Sequence, residues 1–344
     1  IEKLDEICSK NSILGYIGFD CTASSLHVGS LLQIMILKLM QKHGHRPIVL
    51  LGGGTTLIGD PSGKDNTRKI LDKKDIKKNI NSIKKVFNRV LNAKDKKTKP
   101  IFVNNDDWLT KLNYIDFLRN VGKHFTINKM LTYDSVKLRL QREQSLSYME
   151  FNYMILQAFD FYKLYKNKNC ILQIGGSDQW GNIINGVDLI RRILNKEAFG
   201  LTTPLITLAS GAKMGKTESG AIWLNEDLFS SYEYWQFWRN TDDRDVKKFL
   251  NFFTEIETSE IEKMFREEKN INKLKVILAN EATKILHGEK SSKKAEATAK
   301  ETFEGSGISK NLPEIIIDLD EIKLGINILD LLTKSNIMQS KSEV

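Results

Sequence analysis

Cysteine is scarce in this chain. Three occur among 344 residues, Cys8, Cys21 and Cys170, and no two form a CxxC pair. That excludes a disulfide framework and a zinc knuckle as the source of stability, and free thiols suit a reducing compartment. No apolar run approaches the roughly 20 residues that a membrane-spanning helix needs. The opening IEKLDEICSK lacks the basic-then-apolar order of a signal peptide. A GxGxxG fingerprint with an acidic residue about 20 positions on is missing, which sets aside a plain NAD dehydrogenase. The GxxxxGK[ST] spacing of a phosphate-binding loop is missing too. A cytoplasmic protein is expected.

What the chain does have is positive charge. Lys and Arg number 52 against 43 Asp and Glu, a net +9. Many of these cations fall in KDNTRKILDKKDIKKNINSIKKVF and NAKDKKTK. The balance favours a polyanionic partner, nucleic acid ahead of membrane, although a solvated lysine-rich helix would read the same way.

The length implies two domains with an appendage. LGYIGFD reads as a strand, LLQIMILKLMQKHG as a helix apolar nearly all round, and PIVLLGGG as a fully buried strand. Strand, helix and strand within about 35 residues make a βαβ unit, hence a parallel sheet. NCILQIGGSDQWGNIINGVDLIRRIL repeats the order, and a mostly helical section lies between. The expected fold is therefore α/β, a Rossmann-like parallel sheet with a helical insertion over residues 1–224. An aromatic-rich α-helical domain over 225–305 follows, with no strand signal until PEIIIDLDEI.

Four stretches can carry chemistry. In FDCTASSLHVGSLLQIMIL the chain passes from strand to helix through His27 and Gly29. A helix starting there aims free N–H groups at the crevice beyond the sheet, where phosphates bind. Thr22 adds a hydroxyl. Equally, Gly29 can ease packing and His27 can be a turn residue. SGAKMGKTESG sets two lysines in a glycine-rich loop, a cationic clamp suited to pyrophosphate or else an exposed loop. In FNYMILQAFDFY, Tyr153, Gln157 and Asp160 share one face of an otherwise apolar helix. Such a stripe meets internal partners or a ligand, because unpaired buried polar groups are costly. In GGSDQWGN, Asp178 and Gln179 open a helix, where a ligand or an ordinary cap at Ser177 accounts for them.

Together these stretches resemble class I aminoacyl-tRNA synthetases, and specifically the bacterial-type tyrosyl-tRNA synthetases. LHVGS is similar to that family's HIGH signature and KMGKT to its KMSKS signature. GYIGFDCTASSLHVGS, GGGTTLIGDPSGK, FNYMILQAFD and LQIGGSDQWGN match its blocks in order, over Leu14 to Gly288. The resemblance implies activation of L-tyrosine by MgATP to tyrosyl-adenylate and transfer of tyrosyl to the 3′ end of tRNA(Tyr). It implies no tightly bound cofactor and no protein metal site, a homodimer through the section near LRNVGKHFTINKML, and an anticodon-binding role for 225–305.

By the same resemblance His27, Lys213, Lys216 and Thr217 hold the triphosphate and pyrophosphate, joined by the basic pair Lys64 and Arg68. Asp20, Thr22, Gly29, Gly176 and Asp178 match the ATP-binding positions. Tyr16 and Asp160 match the pair that hydrogen-bonds the phenol hydroxyl, while Asp60, Tyr153, Gln157 and Gln179 match the groups around the α-ammonium. The chain departs from the pattern at Ser30, where a second histidine is usual, and at Ile17, where a cysteine is common. Residues 306–344 are expected to be a linker and the first turn of a truncated C-terminal RNA-binding domain. A tryptophan-activating or other adenylate-forming enzyme, and an inactive synthetase-like RNA-binding protein, are the competing readings. The intact KMGKT and tyrosine set argue against the second.

Overall fold

In a computed structural model of the chain, the residues described are 2–60, 71–212, 214–217, 220–304, 315–335, 338 and 340–342. The chain divides into two compact units, Ile1–Thr207 and Leu208–Val344.

The first unit is built on a five-stranded parallel sheet. Its strands are β1 (Leu14–Asp20), β2 (Arg46–Gly52), β3 (Ile101–Asn104), β4 (Cys170–Gly176) and β5 (Phe199–Thr203), in the order β3-β2-β1-β4-β5. Its helices are α1 (Glu2–Lys10), α2 (Leu31–Lys42), α3 (Lys73–Val90), the short α4 (Asp106–Leu109), α5 (Tyr114–Asn120), α6 (Ile127–Met130) and α7 (Asp134–Gln141), then α8 (Tyr148–Lys168) and α9 (Trp180–Leu194). The expected βαβ units are present. β3 and β5 are additions to the reading. Ile101–Asn104 is only four residues long and its positions are half-buried, too weak a pattern to show through the helical section around it.

The strand order turns back on itself between β1 and β4, so their C-terminal ends diverge and leave a crevice beyond Asp20 and Gly176. Open α/β sheets bind ligands at such a switch point. β2 is buried along almost its whole length, which is why it reads as a continuous apolar run. On one face of the sheet, Tyr16, Ile48, Leu50 and Cys170 pack with Phe161 and Leu164 of α8 and Ile190 of α9. The far side of α8, through Met154, Ala158 and Phe159, packs on Val121, Met130 and Val136 of the insertion. Being covered on two sides, α8 is apolar nearly all round, and each polar group on it must find a partner. Ser147 and Glu150 open it with a reciprocal capping box, and Arg139 pairs with the buried Glu150 at 3.1 Å.

The second unit holds a two-stranded hairpin, β6 (Lys216–Thr217) with β7 (Gly220–Ala221), and then α10 (Ser231–Arg239), α11 (Val246–Phe253), α12 (Thr258–Glu267), α13 (Ile271–His287), α14 (Glu289–Glu304), α15 (Leu319–Leu324) and α16 (Ile328–Lys334). Its core is aromatic: Trp238 meets Phe253 at 4.8 Å and Phe249 at 5.8 Å between ring centroids. The β-branched run in PEIIIDLDEI does not make a strand where it is described. Residues 315–318 are irregular and Asp318 caps α15 by accepting from the Asp320 amide. No described strand is there to pair with it, and the N-cap chemistry of Asp318 prevails over β propensity. Among the described residues no helix is long and apolar enough to cross a membrane.

Candidate active site

The closed end of the crevice is built on α8. Asp160 is 1% exposed, and both its oxygens are engaged: Trp108 Nε1 donates to Oδ1 at 2.7 Å and Asn105 Nδ2 to Oδ2 at 2.9 Å. Burial raises the carboxyl from the usual range to about 7, while these two donors pull the other way and the charge of Asp20 adds to the rise. Tyr16 packs against Phe161, 5.3 Å between centroids, and is wholly buried. Its hydroxyl has no hydrogen-bond partner within the protein. Burial, and next the charge of Asp160, push that phenol well above its ordinary range, so it stays protonated and remains a donor. Gln173, paired in register with Tyr16 across β1 and β4, is also buried and its Oε1 is likewise unpartnered. The Tyr16 hydroxyl and Gln173 Oε1 are thus buried polar atoms without a protein partner, the condition that a polar guest relieves.

The outer end is a chain of hydrogen bonds. Asp20, at the end of β1, accepts from Thr55 Oγ1 at 2.8 Å and from Tyr153 OH at 3.1 Å. Thr55 in turn accepts from Asn105 at 3.0 Å, so Asp20 and Asp160 are tied through two neutral side chains. Gln179 donates to Asp60 at 3.0 Å. Asn182 Nδ2 bridges Gln157 at 2.9 Å and Gln179 at 3.1 Å. Gly52 must be glycine, because a Cβ there would sit 2.3 Å from Asp20 Oδ1 and 2.6 Å from Thr55 Oγ1. A Cβ on Gly176 would likewise meet Asp178 Oδ1 at 2.5 Å.

His27 precedes a short 3₁₀ turn, Val28–Ser30, that leads into α2. Its Nδ1 accepts from the Gly29 amide at 3.1 Å, so the neutral ring carries its proton on Nε2 and offers a donor there. The turn reading of His27 therefore holds, and Nε2 is the nitrogen that a phosphate-binding role would use. Ser30 forms no side-chain cap bond. Ile17 is a core residue, 3% exposed. Thr22 and Asp178 are exposed and Gly29 is half-buried. Ser177 does not act as a cap, since the turn at Ser177–Gln179 is preceded by Gly176 and has no side-chain cap bond.

The structure thus brings together Tyr16 with Asp160, Asp20 with Tyr153, Asp60 with Gln179, and Gln157 with Gln179 through Asn182. Lys64, Arg68 and Lys213 lie outside the described residues. Lys216 and Thr217 are placed by backbone alone, on β6 of the second unit. Sequence reasoning missed Asn105, Trp108, Thr55, Gln173 and Asn182. Asn182 stood inside a quoted motif, and Gln173 was a polar residue in an apolar strand, a signal that could have been followed. Asn105 and Trp108 lie in an undistinguished turn after β3, and only the fold carries them to Asp160.

The profile of the tRNA synthetases class I (W and Y) matches residues 9–304. The chain belongs to that family. Along all of its length it is 64% identical to the tyrosine–tRNA ligase of Pelagibacter ubique, covering 83% of that protein. It is 52% identical, again over its full length, to the tyrosine–tRNA ligase of Rickettsia massiliae, covering 84% of it. Among solved structures, a C-terminally truncated mitochondrial tyrosyl-tRNA synthetase of Aspergillus nidulans superposes with a TM-score of 0.78 at 30% identity, covering 88% of this chain and 89% of that one. An Archaeoglobus fulgidus tyrosyl-tRNA synthetase, at 16% identity and a TM-score of 0.62 over 86% of this chain and 93% of that one, shares the fold. Membership in a family of class I synthetases agrees with the parallel sheet and its switch-point crevice.

Proposed function

We propose that the chain is a tyrosine–tRNA ligase that activates L-tyrosine with ATP and passes the tyrosyl group to tRNA(Tyr). The observation that carries this is the dry pair at the closed end, Asp160 beside Tyr16. A phenol hydroxyl entering there donates to a carboxylate oxygen and accepts from Tyr16 OH. Phenylalanine would leave the Tyr16 hydroxyl buried and unpaired and give the desolvated Asp160 carboxylate no further donor, the costly case. The outer groups suit the rest of the amino acid: Asp60, Tyr153, Gln157 and Gln179 present acceptors to an ammonium, and Asn182 ties the two glutamines together.

Adenylate formation needs no strong base, because the substrate carboxylate itself attacks the α-phosphorus and magnesium-pyrophosphate leaves. The protein's part is positioning and charge stabilisation. His27 Nε2 and the amides of the Gly29 turn, at the start of α2, supply donors to phosphate oxygens. Asp20, Thr22, Gly176 and Asp178 are assigned to the nucleotide, and Lys64, Arg68, Lys213, Lys216 and Thr217 to the pyrophosphate. Magnesium enters with ATP as substrate. Residues 225–305 are assigned to the anticodon. A homodimer is supported by the apolar surface of the insertion, where Ile115, Ile127 and Tyr148 are 65–67% exposed. Light scattering on the purified chain tests that, and an active monomer would refute it.

A tryptophan-activating reading is kept alive by one contact, since the indole of Trp108 already donates to Asp160. Tyrosine-dependent ATP–pyrophosphate exchange, with tryptophan and phenylalanine as parallel substrates, decides. Exchange driven by tryptophan at the tyrosine rate would overturn the assignment.

A further inference from the structure

Between Asp72 and Lys99 the sequence places ten lysines and one arginine against three aspartates, a net +8 in a chain of net +9. Within α3 the structure sorts this charge onto one side. α3 turns Ile76, Ile80, Ile83, Val86, Phe87 and Val90 inward. Its other side carries two rows, Lys73, Lys77 and Lys84 beside Lys74, Lys78, Lys85 and Arg89. Eighteen residues make a helix about 27 Å long. Lys94, Lys96, Lys97 and Lys99 follow directly and are exposed. None of the ten lysines forms an ion pair with a described residue.

The helices of the second unit treat lysine differently. Lys263 pairs with Glu267, Lys284 with Glu281, Lys293 with Glu289 and Lys300 with Glu296, each three or four residues apart. Such spacing is how a helix surface made for water neutralises its own charge. α3 forgoes it and stacks like charges at i and i+4, which is destabilising unless an outside anion offsets the repulsion.

We propose that the lysine face of α3, with the segment through Lys99, is a docking surface for the phosphate backbone of double-helical RNA, read without regard to sequence. It rests on the tRNA reading above only for the choice of RNA. The exposed face of α3 holds no aromatic, since Phe87 is buried, so it lacks the stacking platform that single strands need. It also lacks exposed apolar residues to enter a lipid interface. Lysine is a point charge on a flexible stem, suited to phosphates more than to base edges.

The test uses the full chain and a short RNA duplex of arbitrary sequence, with binding followed by fluorescence anisotropy across a KCl series. Lys74→Gln/Lys78→Gln/Lys85→Gln should flatten the slope of log K against log salt by about 3. Lys166→Gln/Lys168→Gln/Lys196→Gln, with the same loss of charge elsewhere on the first unit, should leave the slope unchanged. An equal fall in both variants, or in neither, overturns the proposal. So does patch-dependent binding to phosphatidylserine vesicles without duplex binding. Tyrosine-dependent exchange on the same samples reports separately on the enzymatic reading and should not change in the α3 variant.

Discussion

The two ends of the crevice hold carboxylates in opposite ways. Asp160, at the closed end, is dry and braced by Asn105 and Trp108, and it faces a hydroxyl with nothing to bond. Asp60 and Asp178, at the outer end, are half-buried and exposed, and Asp60 is met by the flexible amide of Gln179. A rigid, desolvated acceptor discriminates, because an unsuitable guest cannot be compensated by water. A wetter, jointed network adapts to groups that change during the reaction. Under the proposed tyrosine reading, specificity falls to the closed end and turnover to the outer one.

The largest effect should come from the closed end. Asp160→Asn keeps the shape but adds a donor and removes the charge; kcat/KM for tyrosine in pyrophosphate exchange should fall about a hundredfold, with little change for phenylalanine. An equal loss for both amino acids would erase the distinction drawn between the ends.

Next in size is a pH effect. With the Asp160 carboxyl raised to about 7, kcat/KM for tyrosine should fall about tenfold per unit as the pH drops below that value, because the protonated acid is a much weaker acceptor for the phenol O–H and presents a donor of its own. The same shift costs stability. The unfolded carboxyl ionises near 4, so the folded form is the one that holds the proton between 4 and 7. Stability is therefore lost as pH rises through that window, by about 4 kcal/mol once pH exceeds 7. Urea unfolding should show Asp160→Asn gaining on the parent at pH 8 compared with pH 4.

Smaller again is Trp108→Phe. It deletes one donor that favours the ionised carboxylate, so the lower limb of the tyrosine pH profile should move up by about one unit. A profile that stays put would mean that the indole is packing alone. Asn182→Ala should be the mildest, raising KM for tyrosine and phenylalanine alike by a few-fold, since it unties Gln157 from Gln179 without touching the phenol end. Selective loss for tyrosine would break the division.

Much of the candidate site was legible in sequence because its residues sit where the chain changes period, at strand-to-helix turns and on one stripe of an apolar helix. His27, Asp178 and the trio Tyr153, Gln157 and Asp160 announce themselves that way. Trp108 and Asn105 do not: they follow a four-residue strand hidden in helical sequence, and their importance lies wholly in whom they touch. β3 escaped for the same reason, being too short for a period to register.

The order of apolar runs, glycines and turns along the chain was enough to determine the parallel sheet and the helical second unit, because burial on both faces and tight turns leave a local imprint in the residues. Which oxygens are dry, and therefore that Asp160 titrates near 7 while Tyr16 waits with an unspent proton, was decided only when segments some 50 to 150 positions apart were packed together. Desolvation depends on every neighbour in space, and neighbours in space are not written in any one stretch of the chain.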